Sequence, residues 1–169
     1  MPRAVTAESW TAGLNAFLLA ARFGIGLAIS AHGAQQLFGW FGGAGLSETA
    51  RHFTSIGYPN GNRMAIIAGL GEIVGGLGLA VGVLTLPAAF LAAAILLYTA
   101  AIDGGFFTPE GVKYEPLLAV CAVVLGLYGP GRYALGRYIP AIRTYQFSYT
   151  QRAVLMTVGL VGVMLAIRR

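Results

Sequence analysis

RFGIGLAISAHGAQQLFGWFGG, residues 22–43, decides how the chain is read: it is largely apolar, yet it carries an arginine, a histidine and two glutamines. At 1.5 Å per residue, about 20 residues cross a bilayer core. Residues 14–40 can therefore span one, with Arg22 near one end and His32, Gln35 and Gln36 in the other half. Arg22, Ile29, His32, Gln35 and Gln36 recur at helical spacing, which gathers the polar atoms on one broad face and leaves Phe17, Leu18, Phe23 and Leu27 for lipid or packing. Polar groups at that depth need partners, so this face is expected to look toward other helices.

The composition agrees. The chain has 169 residues, 57% hydrophobic and 10% charged, with a mean hydropathy of +0.72, against roughly 25% charged residues in an ordinary soluble domain. An all-α integral membrane bundle is expected, with no room for a separate soluble catalytic domain. The single Cys121 allows no internal disulfide or CxxC pair, and two histidines make a poor metal site. The net charge of +5 comes from arginines that flank apolar spans, which points to lipid headgroups rather than nucleic acid. Residues 1–13 are polar, with Trp10 at an interfacial anchor position; Arg3, Glu8 and the interruption at Arg22 argue against a cleaved secretory signal.

Further along, Gly42, Gly43 and Gly45 on one side and the YPNGN turn at 58–62 on the other bracket LSETARHFTSIG, which contains the polar residues 47–52 and reads as a short amphipathic helix on the membrane surface. A second span covers residues 64–84 and holds Glu72, with Gly71, Gly75, Gly78 and Gly82 forming a seam for close helix packing. GLGEIVGG imitates a dinucleotide fingerprint, but no strand precedes it, so that reading is rejected. Residues 84–87 then make a tight connection, with Thr85 as cap and Pro87 in the first turn of the next helix. A third span at 88–102 is therefore antiparallel to the second, and ends at Asp103. Pro116 opens a fourth, where residues 116–128 give only about 20 Å of helix, which places Glu115 below the interface. Residues 153–167 supply a fifth apolar run, to which residues 149–152 must contribute if it is to cross. The expected division is residues 1–140 as a four-helix domain with a juxtamembrane segment, and 141–169 as a basic, aromatic linker with a C-terminal transmembrane helix.

Loop charges set the orientation. Arg3, Arg132, Arg137, Arg143 and Arg152 fall on one side; Arg51, Arg63, Lys113, Arg168 and Arg169 fall on the other if the fifth span crosses. The cluster at 132–152 is dense, interleaved with Tyr133, Tyr138, Tyr145 and Tyr149, and unopposed by acids, so it is read as headgroup-facing and the N-terminus as cytoplasmic. His32, Gln35, Gln36, Glu72, Asp103 and Glu115 then share the outer leaflet as candidate ligand-binding groups. Each has a plainer alternative: His32 and Glu72 as interhelical hydrogen-bonding groups, Asp103 and Glu115 as a cap or a solvated loop charge. Arg22, in the opposite half, is expected to snorkel to headgroups. Tyr98, Cys121 and the methionines are read as packing.

Arg22, HGAQQLFGWFGG at 32–43, Glu72 with the glycines after it, GGFF at 104–107, Glu115 and GPGRYAL at 129–135 occur in an order that resembles the DoxX family of small four-helix membrane proteins. The resemblance covers roughly residues 15–140. Many relatives carry lysine where Gln36 stands and Leu-Asp where Leu135-Gly136 stands, so roles that need those charges are not carried over. The resemblance implies a protein of the bacterial cytoplasmic membrane, linked to respiratory or thiol and sulfur redox systems as a partner of other subunits.

Two functions follow. In one, the outer-leaflet groups bind quinone or a similar apolar molecule, with His32 and Glu72 on its head; the chain lacks haem, flavin and iron–sulfur motifs, so other subunits would carry the electrons. In the other, the chain is a structural or assembly subunit without a ligand. A small-solute transporter fits less well, since no internal repeat is evident.

Overall fold

The computed structural model describes residues 7–104, 107–108, 111–143 and 147–167. The readings of Arg3, Tyr145, Arg168 and Arg169, and of the side chains of Trp10 and Arg143, lie outside what is described. The main helices are α1 (Ala7–Phe38), α2 (Gly45–Ser55), α3 (Gly61–Val81), α4 (Thr85–Ile102) and α5 (Tyr114–Tyr128), followed by a short α6 (Pro140–Arg143) and α7 (Tyr149–Ile167). A small antiparallel pairing of Phe107–Thr108 with Gly111–Val112 joins α4 to α5. This is an all-α membrane bundle. Residues 11–38, α3 and α4 are long and apolar enough to cross a bilayer. At 15 residues α5 makes only about 22 Å, short of the roughly 30 Å core, as its sequence predicts.

The packing order is α1, α3, α4, α5, with α2 lying over α3 and α1, and α7 against α4 and α5. Lipid is as apolar as leucine and gives no hydrophobic drive between helices, so close contact of small residues must hold them together. Two glycine seams on α3 do this. Gly71, Gly75 and Gly78 face α4, where a Cβ at Gly75 would lie 3.0 Å from the Ala88 carbonyl oxygen. Gly69 and Gly76 face α1, where a Cβ at Gly26 would come within 2.5 Å of the Gly76 carbonyl oxygen. On α4, Ala88, Ala89, Ala92 and Ala93 are buried. Large side chains such as Phe17, Ile67, Val74 and Val158 are at least 60% exposed, which is where lipid covers them.

Several expectations need correction. Gly82 is not part of the packing seam: it ends α3 in the left-handed region at φ 74, and the Arg22 guanidinium and Ala134 occupy the space a Cβ would take. Thr85 does not cap α4; Leu84 stands at the cap position with φ 47, and the Thr85 hydroxyl is buried without a partner. The apolar face of α2 is not spent on lipid. Phe53 is buried and packs with Ala65 and Ala68 on α3, because the Gly39–Gly43 turns fold α2 back onto the bundle. The C-terminal helix needs no such correction: residues 149–152 join the apolar run as expected, and the 19 residues from Tyr149 reach about 28 Å.

Candidate functional site

α1 and α3 touch closely through Gly33 and Gly69, which brings Glu72 under His32. Glu72 is 0% exposed, and its carboxylate lies 2.7 Å from His32 Nδ1. Gln36, one turn beyond His32, donates from Nε2 to both Glu72 oxygens at 3.2 and 3.1 Å. A carboxylate accepts only, so these bonds fix the amide with Nε2 toward Glu72. The remaining amide oxygen, Gln36 Oε1, is buried without a partner. The Tyr114 ring meets the His32 ring edge on at 5.2 Å, so three helices hold the imidazole.

Above this network lies a cavity of about 300 Å³, lined by side chains of α1, α2, α4 and α5. Its polar wall includes His32, Gln36, Thr49, His52, Asp103 and Glu115; Phe53, Ile56, Ala100 and Ile102 give it an apolar side. Glu115, in the first turn of α5, has a buried Oε2 with no hydrogen-bond partner. Asp103 holds the rim: its carboxylate pairs with His52 Nε2 at 2.8 Å and Lys113 Nζ at 3.0 Å, tying α2 and the α4–α5 connection together. The Thr49 hydroxyl donates to the Gln36 carbonyl oxygen at 3.1 Å and fastens α2 to the end of α1.

Of the six polar groups singled out in the sequence, His32, Gln36, Asp103 and Glu115 line the cavity and Glu72 lies beneath it. Gln35 does not join them: it packs behind Gly43, where its backbone and Cβ support the turn into α2. Thr49 and His52 escaped sequence reasoning. Their spacing of three on a short amphipathic helix is the available signal, but a helix read as lying on the membrane surface has no bundle partner toward which its polar face could turn.

Two of the arginines, Arg22 and Arg152, behave differently from their sequence reading. Arg22 does not snorkel: it is 1% exposed, its Nε donates to the Leu18 carbonyl oxygen at 3.3 Å, and Nη1 has no partner. It lies against Gly82 at the end of α3, where the negative end of the helix dipole favours a cation. Arg152 turns to backbone instead of to headgroups, since its Nη1 donates to the carbonyl oxygens of Leu127 and Tyr128 and so caps α5. Arg132 and Arg137 are exposed.

The DoxX family model matches residues 17–104, a little over half of the chain, and the protein belongs to that family. No curated protein and no solved structure matches the chain.

Proposed function

From this DoxX membership and the cavity under α2, we propose that the protein is a subunit of a respiratory or thiol and sulfur redox system, and that the cavity binds the head of a quinol. The supporting observation is that two groups lining the cavity, Gln36 and Glu115, each carry a buried oxygen with no donor. A buried acceptor left unpaired costs about 1 to 3 kcal/mol, and the hydroxyls of a reduced quinone supply the missing donors. With its Nδ1 hydrogen on Glu72, a neutral His32 keeps Nε2 as a further acceptor. The apolar wall from Phe53 to Ile102 suits the ring. Electrons pass to redox centres on partner subunits. The chain resides in a bacterial cytoplasmic membrane with its N-terminus inside, because Arg132 and Arg137 stand exposed at the end opposite the cavity.

Equilibrium binding of a short-tailed benzoquinol to the purified protein tests the reading. Glu72→Gln preserves shape and fold, and is expected to weaken binding by loosening the His32 and Gln36 side chains. Wild-type quinol binding in Glu72→Gln, with loss confined to the stability of Glu72→Leu, would replace the redox reading with that of an assembly subunit without a ligand. Reporter fusions that put Thr85 and Lys113 on one side of the membrane would break the topology.

A further inference from the structure

A second, larger cavity of about 510 Å³ lies at the other end of the bundle, among α1, the α3–α4 turn, the end of α5 and the start of α7. Leu14, Leu18, Leu84, Leu86 and Pro87 make much of it apolar. Its charged lining consists of Arg137 and Arg152, with no carboxylate among the described residues. The N-terminus of α4 opens on it, where the first N–H groups of a helix have no carbonyl partner within the helix and favour an anion. Thr85, in that first turn, lines the cavity; it is 5% exposed and its hydroxyl has no hydrogen-bond partner. Behind the wall formed by Gly82, the buried Arg22 adds positive charge that no carboxylate among the described residues offsets.

We infer that this cavity binds an anionic phospholipid, with the phosphate at Thr85, the α4 N-terminus and Arg137, and an acyl chain along Leu14 and Leu86. The inference is independent of the quinol reading, which concerns the opposite end. Donors in excess identify the head as an anion, and the apolar lining continuous with the lipid-facing surface at Leu14 identifies it as an amphiphile rather than free phosphate. Arg152 is committed to the end of α5, so its part is to hold the wall and contribute charge.

Native mass spectrometry of the full-length protein, equilibrated with equal amounts of phosphatidylglycerol and phosphatidylcholine of the same chains, tests this. Wild type is expected to retain phosphatidylglycerol preferentially. Arg137→Gln and Thr85→Val should each lower that preference roughly fivefold, as expected for loss of one charge or one charge-assisted hydrogen bond. Arg137 is exposed, so its variant decides the matter even if Thr85→Val folds poorly. Leu14→Trp, which fills the apolar part, should also reduce retention. An unchanged preference in Arg137→Gln, equal retention of the two lipids by wild type, or displacement by millimolar inorganic phosphate would overturn the assignment.

Discussion

The two ends of the bundle solve the burial of charge in opposite ways. Under α2, His32 meets Glu72 at 2.7 Å and Gln36 adds two more bonds, so the buried carboxylate is satisfied by side chains of the protein and the surplus capacity is for accepting: Gln36 Oε1 and Glu115 Oε2. At the other end Arg22 and Arg152 have, among the described residues, only backbone carbonyls as partners, and the surplus includes Arg22 Nη1 and the Thr85 hydroxyl. Both ends sit in the same all-α frame. The difference teaches that a buried carboxylate recruits side chains from a neighbouring helix, whereas an arginine can be held by the backbone: Arg152 by the carbonyls that end α5, Arg22 by a carbonyl of its own helix and the dipole at the end of α3.

The comparison can be broken most forcefully at Glu72. Glu72→Leu removes the acceptor shared by His32 and Gln36, and each buried donor left unpaired costs about 1 to 3 kcal/mol; thermal unfolding in detergent should show a large fall in Tm. A second change strikes both ends at once. In Gly76→Val the new side chain would be driven into the Gly26 carbonyl oxygen, 2.5 Å from where Cβ must stand, and overpacking of this kind costs about 1 to 3 kcal/mol. Chemical denaturation should register it together with weakened binding in both cavities.

His52→Ala sharpens the picture of the α2 end. The His52 pair with Asp103 is about half exposed on both sides, so its loss should cost about 0.2 to 1 kcal/mol. Labelling of a cysteine placed at Thr49 should nevertheless quicken as α2 loosens over the cavity. Arg22→Met carries the smallest expected effect. Relief from burying a cation with one unsatisfied nitrogen offsets loss of a helix-end interaction of about 0.3 to 1 kcal/mol, so stability should stay within about 1 kcal/mol of wild type. A fall as large as that of Glu72→Leu would mean that Arg22 has a partner as strong as a carboxylate, and the contrast between the ends would vanish.

Much of this was legible from residues alone. The length and apolarity of residues 14–40, the Pro87 and Pro116 helix starts and the α3–α4 hairpin follow from local chemistry, because a bilayer leaves the backbone few alternatives to helix. Helical periodicity also put Arg22, His32 and Gln36 on one inward face, since it is fixed by the backbone itself. What periodicity cannot state is which inward groups meet. That His32 reaches Glu72 while Gln35 turns aside depends on the rotation and depth of α3 against α1, and these are set by the Gly33–Gly69 and Gly26–Gly76 contacts across 36 and 50 residues of chain. Arg22 and Thr85 were misread for the same reason. A sequence places a side chain at a depth, but only the packed helices decide whether that depth holds lipid, a helix end or a cavity.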